Sequence, residues 1–264
     1  MIKSNYFTDN EDLQLHVDRF IDWNELVELY EDGFKDAQEY ERTGNERLAY
    51  APSNVSEAVE YYKEIFNGYG DLAGNEVSQI AQDMDARGLE FQDGKVIYPE
   101  EIEAIYHKFH DAGLAATNYK RKYGGLGLPQ VAKAISHEIL YRADSSIGIA
   151  LACVNLAAIL EVYADEDMRN TWIPRLIEGK YTVTMGLTEP DYGSDLPAVK
   201  TKAEQIDGKW YLTGVKRFQT MACGMNGSPG VILALARTGD SDSGARGLSF
   251  FLVESKNYEV LGIE

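Results

Sequence analysis

Met185-Gly186-Leu187-Thr188-Glu189-Pro190-Asp191-Tyr192-Gly193-Ser194-Asp195 is the stretch on which the reading of this chain turns. Tyr181 to Thr188 is strand-like and runs directly into a polar turn around Gly193. Pro190 fixes its own φ and pushes Glu189 towards extended geometry. Gly193 permits a backbone angle that a Cβ would resist. Such a loop brings hydroxyls, carboxylates and open backbone N–H groups to one sheet edge. It suits a phosphate or the polar rim of a heterocycle, and it suits an ordinary hairpin turn equally well.

The residues downstream separate these readings. Lys200-Thr201-Lys202-Ala203, the turn Asp207-Gly208 and Thr213-Gly214-Val215-Lys216-Arg217-Phe218-Gln219-Thr220 follow in order. Together with the first loop they resemble the acyl-CoA dehydrogenase family. The signature of these flavoenzymes is a Thr-Glu-Pro-x-x-Gly-Ser-Asp loop, then an Asn/Thr-Gly-x-Lys-x-aromatic-x-Thr strand. The resemblance runs from about Pro99 to the last residue and is most specific over Gly186 to Thr220. Tyr123-Gly124-Gly125-Leu126-Gly127 belongs to it too. The region before about residue 95 is longer than the family's minimal N-terminus. With Phe218 where most members carry Trp, it resembles the extended subgroup that includes methylthiopropanoyl-CoA dehydrogenases.

The resemblance implies an α+β, multidomain chain: an all-α N-terminal domain over residues 1–180, with an extension over 1–95, then an antiparallel β-barrel or sandwich domain over 181–264. The family's C-terminal four-helix bundle would be missing, making this chain a fragment or a truncated protein. It further implies FAD as cofactor, bordered by Met185, Leu187 and Thr188, with Gly193 and Ser194 turned towards its pyrophosphate. Phe218 would pack on the isoalloxazine, Gln219 would contribute backbone, and Thr220 would place a hydroxyl by N5. Ser194 would also meet the CoA moiety, and the acyl chain would run beside Ile147, Gly148 and Leu151. The family's catalytic glutamate lies beyond Glu264, so no residue here is a candidate base. Glu189 and Asp195 are expected to fix the loop rather than act as acid or base.

The implied reaction is α,β-dehydrogenation of an acyl-CoA in fatty acid β-oxidation, with an electron-transfer flavoprotein or similar acceptor and a homo-oligomer, dimer or tetramer, at full length. Alternatives are an acyl-CoA oxidase using oxygen and a non-catalytic binding or assembly relative. With one wall of the cleft missing, the isolated chain is expected to hold FAD weakly or not at all.

Composition excludes other classes. A net charge of −18 argues against nucleic acid and anionic membrane surfaces, both of which call for a basic patch. Cys153 and Cys223 form no disulfide framework and suit a reducing cytoplasm. Cys153 reads as a packed core residue and Cys223 as an inert thiol. No segment is expected to reach the roughly 20 apolar residues of a membrane helix. The N-terminus lacks the features of a secretory signal or a mitochondrial presequence. The expected location is the cytoplasm. His107 and His110 share a helix face but lack further ligands for a metal, so a solvated face is expected. No Gly-x-Gly-x-x-Gly or Walker-type loop is present, and Ser145, Ser146 and Ser194 lack an elbow or base at recognisable spacing.

Apolar spacing predicts helices over 9–33, 56–66, 71–84, 129–141 and 145–163, and one beginning at Pro99. Gly68 and Gly70 should stop the second of these. The 145–163 segment is apolar nearly all round from Ile147 to Leu160 and should be buried there. Asp165 should cap a helix to Gly179 that Pro174 interrupts. Arg42 to Asn54 reads as a loop, and Gly88 to Tyr98 as a short extended excursion turning at Asp93-Gly94. Beyond Tyr181, strands are expected over 199–205, 209–213, 215–220, 231–237 and 248–254, and another from Asn257.

Overall fold

The computed structural model describes residues 4–225 and 228–263. Contacts divide the chain into two compact units, Met1–Gly88 with Pro99–Glu178, and Leu89–Tyr98 with Gly179–Glu264.

The first unit is helical: α1 (Glu11–Arg19), α2 (Trp23–Glu31), α3 (Lys35–Thr43), α4 (Val55–Leu72) and α5 (Ser78–Arg87) precede the short strands β1 (Glu90–Gln92) and β2 (Lys95–Ile97). It resumes with α6 (Glu100–Asp111), α7 (Gln130–Ala143), α8 (Ser145–Leu156), α9 (Leu160–Tyr163) and α10 (Glu166–Ile177). The expected 9–33 helix is divided: Asp22 caps α2 by accepting from the Glu25 amide, so the chain turns between α1 and α2. The stretch read as a loop from Arg42 holds the end of α3 and a short 3₁₀ turn.

Glycines in α4 do not stop it. The helix continues through Gly68 and Gly70 and joins α5 through a π-helical turn, Ala73–Val77. Their smallness serves packing: a Cβ on Gly70 would lie 2.1 Å from Asn5 Oδ1, and one on Gly74 would lie 1.9 Å from the Ser4 carbonyl oxygen. The N-terminal segment therefore rests directly on the backbone, with the Tyr6 amide donating to the Gly70 carbonyl at 3.0 Å. Asp165 caps α10 as expected, its Oδ1 accepting from the Met168 amide at 2.8 Å. Pro174 sits inside that helix without ending it, at the loss of one bond to the preceding turn.

The 145–163 segment corrects two expectations. It is long and apolar enough to cross a membrane by length and composition alone, with a mean hydropathy of 1.9, and only half of its apolar window is buried. Between Ile147 and Leu160 only Ile149 and Leu156 are exposed, and beyond that stretch Val162 and Tyr163 are exposed too. Its buried side carries Asn155, whose Oδ1 accepts from the Asn118 amide at 2.8 Å and whose Nδ2 donates to the Ala115 carbonyl at 2.9 Å. His110 is buried rather than solvated, its Nδ1 lying 2.7 Å from the Ile177 carbonyl oxygen. Burial lowers its pKa to about 4.

A buried ion pair crosses this unit. Arg121 reaches Glu31 of α2 at 2.7 Å and 2.8 Å through its two terminal nitrogens, and Asp36 of α3 at 3.3 Å. Tyr62 of α4 donates to the same Glu31 at 2.7 Å. Burial lowers the pKa of Arg121, but Glu31 outweighs that and leaves it raised.

The second unit contains the β1–β2 hairpin, paired antiparallel as expected, and a five-stranded sheet. Its strands are β3 (Thr182–Gly186), β4 (Lys202–Ile206), β5 (Lys209–Thr213), β6 (Gly230–Arg237) and β7 (Leu248–Glu254). The strand order is β3-β6-β4-β5, with β7 on β6. Pairing is mixed, not antiparallel throughout. β3 and β6 run parallel from Thr182 opposite Gly230 to Gly186 opposite Ala234, and β4 meets β6 parallel at Lys202 and Arg237. β6 is buried nearly end to end, as a central strand requires. Among the described residues Val215–Thr220 pairs with no strand, and the chain beyond Asn257 forms none; Glu264, the end of that expected strand, lies outside the described residues.

Breaking the buried pair should cost far more than replacing it. Arg121→Met is expected to lower the free energy of unfolding by about 3–5 kcal/mol, and adding Glu31→Leu should recover most of that loss. Urea unfolding of the two variants measures both effects, and equal losses would contradict this assignment.

Candidate functional site

Where β3 ends at Gly186, the chain enters the quoted loop. Glu189 and Tyr192 close it by exchanging backbone hydrogen bonds, Glu189 N to Tyr192 O at 2.8 Å and the reverse at 3.2 Å. Pro190 and Asp191 sit at the exposed tip.

Glu189 itself turns inward and is 6% exposed. Its Oε2 accepts from the Lys200 amide at 2.7 Å, and its Oε1 from the Thr201 amide at 2.9 Å and from Lys216 Nζ at 2.9 Å. Lys216 Nζ also donates to the Leu187 carbonyl at 3.0 Å. The Arg217 amide donates to the Thr188 carbonyl at 2.9 Å. One buried carboxylate and one lysine thus join the loop after β3, the entry to β4 and the segment after β5. Gly214 makes the approach possible, because a Cβ there would lie 2.7 Å from Thr201 Cα. Burial pushes the Glu189 carboxyl up, but hydrogen bonds from Thr201, the Lys200 amide and Lys216 outweigh it and hold it below the usual carboxylate range. Burial lowers Lys216, with Glu189 only partly offsetting it.

This explains why Val215–Thr220 is not a strand. Lys216 points inward to Glu189, and Phe218 takes φ 59°, the left-handed region that bulky residues avoid. Phe218 is 66% exposed, with the Arg217 guanidinium carbon 4.8 Å from its ring centroid. Gln219 folds its amide nitrogen onto the Arg217 carbonyl, while its Oε1 is buried without a hydrogen-bond partner.

Of the residues singled out from sequence, Met185, Leu187, Thr188 and Gln219 are half-buried, and Gly193, Ser194, Phe218 and Thr220 are exposed. The structure brings the 185–189 and 216–220 segments together through the Arg217–Thr188 and Lys216–Leu187 bonds. Glu189 fixes the loop as expected, and Asp195 is exposed before a 3₁₀ turn. Ile147, Gly148 and Leu151 belong to the helical unit, where all three are buried. Cys153 is buried as expected; Cys223 is half-buried, and burial raises its thiol pKa, as suits an inert thiol. Sequence reasoning missed Lys216 as the partner of Glu189. Its place in the second motif was the only signal.

The model of the acyl-CoA dehydrogenase N-terminal domain matches residues 60–180, and that of the middle domain matches 184–264. The chain belongs to the acyl-CoA dehydrogenase family. It is 33% identical over 207 residues to 3-methylmercaptopropionyl-CoA dehydrogenase of Ruegeria pomeroyi, covering 75% of this chain and 35% of that protein. A glutaryl-coenzyme A dehydrogenase solved with glutaryl-CoA superposes with a TM-score of 0.61 at 27% identity, over 75% of this chain and 46% of its own. PigA, solved with FAD and proline, shares the fold with a TM-score of 0.59 at 24% identity, over 74% of this chain and 47% of its own. The chain thus spans about a third of the first relative and under half of the solved chains.

Glu189 gives the site a pH signature. Its folded pKa lies below the unfolded one, so its stabilisation is complete above the ordinary carboxylate pKa and disappears as pH falls through the folded value. Denaturant unfolding between about pH 7 and about pH 3 should show stability falling more steeply for the unsubstituted chain than for Glu189→Gln. Parallel profiles would contradict a charged, hydrogen-bonded Glu189.

Proposed function

We propose that this chain forms the helical and sheet parts of an FAD-dependent acyl-CoA dehydrogenase, which converts an acyl-CoA thioester to its trans-2-enoyl-CoA. The observation that carries this reading is the Glu189–Lys216 clasp, which joins the family's two signature segments within one sheet unit. The local chemistry fits a flavin. An aromatic ring is presented to solvent on a backbone held out of its preferred region, the buried Gln219 Oε1 has no protein donor, and space is open beside Gly193.

In this reading Met185, Leu187, Thr188, Phe218, Gln219 and Thr220 hold the isoalloxazine, and Gly193 and Ser194 meet the pyrophosphate. Ser194 also meets the CoA moiety, and Ile147, Gly148 and Leu151 flank the acyl chain. FAD, when bound, supplies the two-electron acceptor for the hydride leaving the substrate's β-carbon. The protein's part is to bind and orient: hydroxyls and amides at Thr188 and Thr220 offer donors to a ring that gains charge on reduction. No residue of this chain is assigned as the base for the α-proton. An electron-transfer flavoprotein as acceptor, an extended-subgroup substrate range, oligomeric assembly at full length and a cytoplasmic location belong to the same proposal.

Weak binding to the chain is measurable by amide NMR during an FAD titration. Leu187, Thr188, Gly193, Ser194 and Phe218 to Thr220 are expected to shift together, and Phe218→Ala should weaken binding by roughly threefold to tenfold, the worth of an aromatic stacking contact. Shifts confined to other residues, or unchanged affinity in Phe218→Ala, would refute the site.

A further inference from the structure

Outside the flavin site, α7 carries Lys133, His137 and Tyr141 at i, i+4 and i+8, a spacing that places them along one helix face. All three are half-buried beside the fully buried row Ala132, Ser136 and Leu140. The His137 and Tyr141 rings lie 5.8 Å apart between centroids. The Tyr141 ring packs directly on α8, where a Cβ on Gly148 would lie 2.9 Å from Tyr141 Cδ2. Among the described residues, the side chains of Lys133 and His137 have neither hydrogen bond nor ion pair, and their nitrogens are not sealed from solvent. The first turn of α7 holds no acid, and Glu138 is exposed about 100° round the helix from His137.

On this half-buried face one lysine charge stands beside a neutral imidazole and a phenol, with no counter-charge among the described residues. Burial lowers Lys133, and burial together with the Lys133 charge lowers His137 to about 4. Neither side chain has a polar partner among the described residues, and their nitrogens stay open to the surface, so the face can take an anion from outside. We propose that the Lys133–His137–Tyr141 face of α7 binds a carboxylate anion. One permanent positive charge matches a monoanion, while the imidazole and phenol add neutral donors. A phosphate dianion would bring more charge than this face can offset. None of these residues belongs to the flavin-binding loops.

The test is histidine-ring NMR on the whole chain, titrated with acetate and separately with inorganic phosphate at constant ionic strength, with His137 assigned through His137→Gln. Acetate is expected to shift the His137 signal saturably and raise its pKa, since a bound carboxylate favours the imidazolium. Signals of His16, His107 and His110 should stay in place. Lys133→Met should weaken acetate binding by at least about tenfold, and Lys133→Arg should retain it. A non-saturating shift, an equal shift at His16, an unchanged response in Lys133→Met, or tighter phosphate than acetate binding would each overturn the proposal.

Discussion

A carboxylate taken out of water has to be met by donors, and in the sheet unit Glu189 is met by two amides and an ammonium group. Those donors come from two stretches separated in sequence, Lys200–Thr201 and Lys216, and Lys216 also donates to the Leu187 carbonyl. An unpaired carboxylate in that position would be costly enough to change its protonation or open the loop. The clasp therefore does what a strand ladder does elsewhere, and does it at the sheet's edge. Val215–Thr220 is released from pairing, and Phe218 is turned outwards on a left-handed backbone. Local strain and an exposed aromatic ring are what a ligand-facing segment requires, and here both trace to one buried charge pair.

The helical unit uses the same device for another end. The family match begins at residue 60, yet Arg121 within it finds its main partner in Glu31 and a second in Asp36. Tyr62 of α4 donates to the same Glu31, and Ser4 to Phe7 pack on Gly70 and Gly74. The extension is thus built into the hydrogen-bonding of the family domain and is not an appendage to it.

Much of this was legible from residues alone, and the failures have physical causes. Asp207-Gly208 predicted its hairpin because both residues accept positive φ, and Asp165 predicted its helix start because a carboxylate there reaches the third amide. Gly70 was misread because helix propensity says nothing of what packs on the helix; here Asn5 and Phe7 do. The Val215–Thr220 segment looked like a strand because Val215, Phe218 and Thr220 are strand formers, but Lys216 is drawn inward by Glu189, a partner 27 positions away. Parallel pairing of β3 with β6 joins Thr182 to Gly230 across a span that no local pattern encodes. The Glu189 loop could be read, while its anchor could not, since a lysine seeking a buried acid resembles any solvated lysine in sequence.

The central claim is that loop 185–195 and segment 214–220 form one flavin-facing surface. Photo-cross-linking with an azido-substituted FAD, followed by peptide mapping, tests it most directly. Labels should fall on both segments together and fade in parallel as unmodified FAD is added. Labelling of only one segment, or of peptides from neither, would contradict the account.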